Sequence, residues 1–196
     1  MNERIATISR ATNETRISGR LRLDGSGDAT ISSGLGFLDH MLDSLARHAR
    51  LDLELTCDGD LQVDDHHSVE DCAIALGSAL REALGEKRGV RRFGSAFAPL
   101  DEALARAVVD LSGRPFADIE LGLRREMLGD VACENLDHFF RSLAAEARIT
   151  LHVDVLKGRN DHHRIEAAFK ATALALREAI ALDTGTEVPS TKGVLA

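Results

Sequence analysis

Asp65-His66-His67-Ser68-Val69-Glu70 and Asp161-His162-His163-Arg164-Ile165-Glu166 are one motif, Asp-His-His-x-x-Glu, written twice in a chain of 196 residues. The correspondence extends outward in both directions. Upstream, Leu38-Asp39-His40-Met41-Leu42-Asp43-Ser44-Leu45-Ala46 is answered by Leu136-Asp137-His138-Phe139-Phe140-Arg141-Ser142-Leu143-Ala144, and each leads to Ala-x-x-Ala-Arg. An alternating apolar run follows, Leu51, Leu53 and Leu55 in one copy and Ile149, Leu151 and Val153 in the other. Downstream, both copies close on Arg-Glu-Ala, at Arg81 to Ala83 and Arg177 to Ala179. Bland helices that match by chance preserve Leu and Ala, not His, Asp and Glu at fixed offsets. The chain is an internal duplication.

Each copy reads as helix, strand, loop, helix. Apolar residues at Met41, Leu42, Leu45 and Ala49 form one buried helical stripe. The run after it alternates with period two, as a half-buried strand does. Long Ala- and Leu-rich helices are expected from Asp65 to Leu84 and from Asp161 to Ala181, capped by Asp64 or Asp65 and by Asn160 or Asp161. Further strands are expected at Arg16 to Leu23 and Ala105 to Asp110. Gly-rich turns follow them at Asp24 to Gly27 and Ser112 to Pro115. The fold class is α+β: two similar halves, each a small sheet covered by two helices, in one compact domain. The halves are drawn at 1–95 and 96–183, with a C-terminal loop at 184–196.

Composition narrows the function. A formal net charge of −8 argues against a general nucleic-acid binder. No apolar run approaches the roughly 20 residues that span a bilayer, and no apolar stretch near the N-terminus reads as a signal peptide. Cys57, Cys72 and Cys133 are odd in number and widely spaced, which suits reduced thiols in a cytoplasmic protein.

Six of the eight histidines fall in the duplicated positions. On a helix His66 and Glu70 are i, i+4 and His67 and Glu70 are i, i+3, so either His can share a metal with Glu70. Neighbouring His side chains diverge by about 100°, so one ion does not receive both. Two ions follow. Imidazole with carboxylate suits Mn, Fe, Co or Zn better than Mg or Ca, and the absence of thiolates argues against a structural zinc. Asp39, Asp137, Asp65 and Asp161 are placed to orient imidazoles or to cap helices. Turn-borne Arg91, Arg92, Arg114 and Lys192, with Ser190 and Thr191, make a workable phosphate cradle.

The chain resembles the imidazoleglycerol-phosphate dehydratase family over nearly its whole length. The matching residues include Arg10-x-Thr12-x-Glu14-Thr15, Gly36 to Leu42, Asp64 to Asp71, Arg92-Phe93-Gly94, Asp110 to Pro115, Lys157 to Glu166 and Pro189 to Leu195. The resemblance implies dehydration of imidazole glycerol phosphate to imidazole acetol phosphate in histidine biosynthesis, through a diazafulvene-like intermediate. It implies two Mn2+ per site, one taking His40, His66, Glu70 and His163 and the other His67, His138, His162 and Glu166. Arg92, Arg114, Ser190 and Lys192 would hold the substrate phosphate, and Thr191 and Glu14 would also bind substrate. Glu14, Glu70 and Glu166 are the candidate proton carriers. A homo-24-mer with sites between subunits is implied as well. A dinuclear phosphohydrolase and a metal-storage protein are the competing classes; the first usually bridges its metals with carboxylates, and the second has no use for the basic turns.

Overall fold

The computed structural model describes residues 3–195. In chain order the elements are β1 (Ile5–Ala11), β2 (Thr15–Arg22), β3 (Ala29–Ser32), α1 (Gly36–Ala49), β4 (Asp52–Gly59) and α2 (His66–Leu84). There follow β5 (Phe93–Leu100), β6 (Ala103–Asp110), β7 (Phe116–Glu120), the short hairpin β8 (Met127–Leu128) and β9 (Val131–Ala132), α3 (Cys133–Ala147), β10 (Thr150–Lys157) and α4 (Asp161–Ile180). The expected helices and inner strands are present. Because β5 begins at Phe93, the second half starts before the expected boundary at 96.

Two four-stranded sheets, β1-β2-β4-β3 and β5-β6-β10-β7, repeat one topology. In each, the last pairing is parallel and the others are antiparallel. The register makes the halves superimposable residue by residue. Ile17 pairs with Arg10 on one side and Cys57 on the other; Ala105 pairs with Ala98 and Val155 in the same places. The Ala-x-x-Ala-Arg motifs end α1 and α3 in the same way. Arg50 (φ 56°) and Arg148 (φ 51°) take the left-handed conformation and return their N–H groups to the last helical carbonyls.

The sheets are the outer layers and the four helices the inner one. The inward strand positions, among them Ile17, Leu21, Ala105 and Val109, are buried in one continuous core with the helices. Across the middle, α2 packs on α3 and α1 on α4, so each helix finds its main helical partner in the other half. Phe139 and Phe140 of α3 meet Phe169 of α4 at ring-centroid distances of 5.3 and 4.7 Å.

At Gly77 the backbone of α2 lies close against α3. A Cβ there would lie 2.8 Å from the Leu143 carbonyl oxygen and 3.0 Å from the Ala147 nitrogen, both backbone atoms that cannot swing aside. Gly77→Val is therefore expected to destabilise by about 1–3 kcal/mol, despite removing a helical glycine, as urea unfolding would measure. Unchanged stability would mean that the two helices part easily.

Candidate metal centre and substrate site

The helix pairing decides which donors meet. His40 projects from α1 and His138 from α3, while α2 carries His66, His67 and Glu70 and α4 carries His162, His163 and Glu166. Since α1 lies on α4, His40 Nε2 reaches Glu166 Oε2 at 3.3 Å, and His162 Nε2 reaches the same oxygen at 3.1 Å. Since α3 lies on α2, His138 Nε2 reaches Glu70 Oε1 at 2.9 Å, with His66 Nε2 3.6 Å from Glu70 Oε2. Within each set the donor atoms lie within 4.8 Å of one another. The chain thus builds the same two-imidazole, one-carboxylate cluster twice, each time from both halves.

The imidazoles are held from behind. His66 Nδ1 lies 2.9 Å from Asn135 Oδ1, an acceptor, so Nδ1 carries the proton and Nε2 keeps its lone pair for a cation. Asn135 stands three residues before His138 on the same helix, so one turn of α3 supplies both a donor and an orienter.

His67 and His163 belong to neither cluster among the described residues. His67 Nδ1 is held by Asp60 at 3.0 Å, in the turn after β4. His163 Nδ1 is held by Glu102 at 2.7 Å, in the β5–β6 turn. The hydrogen bond to Asp60 raises the His67 pKa, and that to Glu102 raises the His163 pKa. The His163 ring, helped by the Asn160 and Arg159 backbone N–H groups, lowers the Glu102 carboxyl to about 2.

Glu14 occupies in the β1–β2 turn the place that Glu102 occupies in the β5–β6 turn. Its Oε1 stands 3.7 Å from His67 Nε2, and its side chain is half exposed. Thr12 shapes the turn by accepting from the Glu14 and Thr15 backbone N–H groups at 3.1 and 3.0 Å. The two cluster carboxylates also differ. Burial opposes ionisation of Glu166, but Lys170 at 2.7 Å and His40 outweigh it and hold the carboxyl below its ordinary range. The position matching Lys170 in α2 is Ile74, so Glu70 has no such partner.

Three residues of this arrangement went unread in the sequence: Asp60, Glu102 and Asn135. None lies inside the repeated motif, and only folding brings them to it. The four aspartates expected beside the ligands do other work. Asp39 accepts from Ser33 N at 2.8 Å, Asp65 from Ala132 N at 2.8 Å, and Asp161 from Arg124 N and Arg125 N at 2.8 Å each. Asp137 pairs with Arg141 at 2.6 Å. They tie loops and helix surfaces together, and among the described residues they make no hydrogen bond or ion pair to an imidazole. Of the expected caps, Asn160 accepts from His162 N at 3.0 Å and Asp64 from His66 N at 2.9 Å.

A family model described as imidazoleglycerol-phosphate dehydratase matches residues 33–176. The chain belongs to the imidazoleglycerol-phosphate dehydratase family. It is 55% identical to the imidazoleglycerol-phosphate dehydratase of Kluyveromyces lactis over 98% of both chains. It is 59% identical to that of Phytophthora nicotianae over 98% of its own length, spanning 43% of that longer relative. The crystal structure of the dehydratase from Staphylococcus aureus subsp. aureus N315 matches with a TM-score of 0.82 and 37% identity, over 91% of this chain and 99% of that one. A dehydratase is a lyase that removes water.

The dehydratase resemblance implied two ligand sets, and the grouping within one chain differs from them in one respect. Within the chain His40 and His138 change places: His40 joins His162 and Glu166, and His138 joins His66 and Glu70. The cause is the cross-half pairing of α1 with α4 and α2 with α3.

The residues expected to hold the substrate phosphate are dispersed. Arg92, in the left-handed region at φ 73°, forks onto Asp110 at 2.7 and 3.1 Å and donates to the Pro189 carbonyl at 2.9 Å. It thereby fastens the C-terminal segment. A cleft of about 860 Å3 is lined by Arg92, Ser190 and Thr191. Arg114 is exposed in the β6–β7 turn, and Lys192 is exposed beyond the cleft. Among the described residues, no hydrogen bond or ion pair joins these groups to either cluster.

Proposed function

We propose that this chain removes water from imidazole glycerol phosphate to give imidazole acetol phosphate, a step of histidine biosynthesis, with two Mn2+ per active site. The observation that carries the reading is the doubled cluster of two imidazoles and a carboxylate. The donors suit the ion: borderline nitrogens with one anionic oxygen in each set, no thiolate, and His66 fixed in the tautomer that offers a lone pair. His66, Glu70 and His138 would hold one ion and His40, His162 and Glu166 the other. When bound, Mn2+ supplies Lewis acidity toward ring nitrogens of the substrate.

His67 and His163, oriented from behind by Asp60 and Glu102, are the remaining family ligands. Their separation from the clusters within one chain supports completion of each site by a neighbouring subunit, in a homo-24-mer. Glu14 is the proton carrier. It is the one candidate carboxylate outside both clusters, and a carboxylate committed to a cation is a poorer base. Its Oε1 takes the proton from the glycerol chain, while Glu70 and Glu166 act as ligands. Arg114, Ser190, Thr191 and Lys192 bind the phosphate with Arg92. No described helix is long and apolar enough to cross a membrane, and the cysteines are free and buried, in keeping with a cytoplasmic enzyme.

Metal-stripped protein incubated with imidazole glycerol phosphate is expected to form product only after Mn2+ is restored. Product formation without metal, or none with two ions bound, counts against the reading. Uptake of Mn2+ is also expected to weaken as pH falls through neutrality and to release protons. The raised pKa values of His67 and His163 keep the protonated forms populated to higher pH, and an imidazolium cannot ligate. Titration calorimetry in buffers of different ionisation enthalpy measures this release; pH-independent affinity would exclude these two histidines as ligands.

A further inference from the structure

The duplicated halves part company beneath their hairpins. In the first half the Asp71 carboxylate, 5% exposed, is held by Arg10 Nε at 2.9 Å and Nη2 at 2.7 Å, and the buried Thr15 hydroxyl donates to its other oxygen. Strand register and the motif alignment fix the counterparts of Arg10, Thr15 and Asp71 as Ala98, Ala103 and Ala167. Those alanines are buried at 3%, 1% and 0% exposure. The same frame therefore folds with three methyl groups in these places, and the architecture does not require the charged set. Nor does a buried ion pair generally stabilise more than apolar side chains would. What a forked guanidinium–carboxylate contact provides is directional fixing.

The hairpins differ in what they carry. Glu102, on the second, is tied down by its own contacts to the Arg159 and Asn160 N–H groups and to His163. Glu14, at the matching place on the first, has no hydrogen bond to its carboxylate among the described residues; Asp60 has taken over the orienting of His67. A carboxylate released from local bonds must have its backbone held some other way. Arg10 is the last residue but one of β1, Thr15 begins β2, and Asp71 follows Glu70 on α2, so their contacts clamp both ends of the Thr12–Glu14 turn onto the ligand-bearing helix.

We propose that Arg10, Thr15 and Asp71 are positioning residues that fix Glu14 against His67 and the substrate. The inference rests on the reading of Glu14 as proton carrier. The test compares kcat, KM, metal content and thermal unfolding of the assembled, Mn-loaded enzyme carrying Arg10→Ala/Thr15→Ala/Asp71→Ala, or Asp71→Asn alone should the triple variant not fold. Each is made in the parent and in a Glu14→Gln background. The expected result is two ions retained, kcat lowered about 10- to 100-fold with KM little changed, and no further loss when Glu14 is already Gln. Thr15→Ser, which keeps the hydroxyl, is expected to restore turnover relative to Thr15→Ala. Unaltered kcat in the folded variants, or the same fractional loss in both backgrounds, would overturn the positioning role. Normal turnover by Glu14→Gln alone would instead overturn the reading of Glu14, and the positioning role with it.

Discussion

A Glu70→Ala enzyme is expected to keep its fold, to bind one Mn2+ per site instead of two, and to lose about 10³-fold or more in kcat. Among the described residues Glu70 supplies the only anionic oxygen between His66 and His138, at 3.6 and 2.9 Å. Without it only neutral imidazoles face a dication, and a loss of that size corresponds to roughly 4 kcal/mol of transition-state stabilisation. Glu70 is the cleaner choice of the two cluster carboxylates. Removing Glu166 would also strand Lys170, confounding metal loss with an unpaired ammonium. Elemental analysis and steady-state kinetics on the same preparation decide the matter. Two ions bound with parental kcat would mean that the carboxylate is not a ligand.

Glu14→Gln is expected to lower kcat by about 10² to 10⁴, with metal content unchanged and KM close to the parent's. The metal prediction follows from position: Glu14 lies outside both clusters and nearest to His67. The amide keeps the shape and most of the polarity of the side chain but cannot accept a proton, so one limb of the pH–rate profile should disappear. A raised KM with kcat preserved would give Glu14 a different role, that of holding a substrate hydroxyl.

The candidate donors were legible because duplication repeats chemistry as well as periodicity. The pairs His66/His162, His67/His163, Glu70/Glu166 and His40/His138 could each be written down from their offsets. The local helical geometry of Asp-His-His-x-x-Glu also separated the neighbouring histidines, as the structure does by sending His66 to a cluster and His67 to Asp60. The edge strands β1, β3, β5 and β7 were harder to read, being short or interrupted in their alternation. In β3 no residue is fully buried, so there is little apolar pattern to detect. The aspartates flanking the ligands had two open roles in the sequence for a related reason. A carboxylate near a helix start has many backbone N–H groups within reach, and proximity along the chain does not choose between those and an imidazole.

By itself, then, the sequence determined the duplication, the α+β halves, the repeated His and Glu positions and the family. These depend on spacing along one helix or strand, where a few residues fix the geometry. The tertiary structure alone decided which half's histidine completes which cluster, that Asp60, Glu102 and Asn135 stand behind the imidazoles, and that Arg10, Thr15 and Asp71 clamp the turn bearing Glu14. Such contacts join elements far apart in the chain. They are set by how α1 lies on α4 and α2 on α3 as the core closes, and that packing has no local signature.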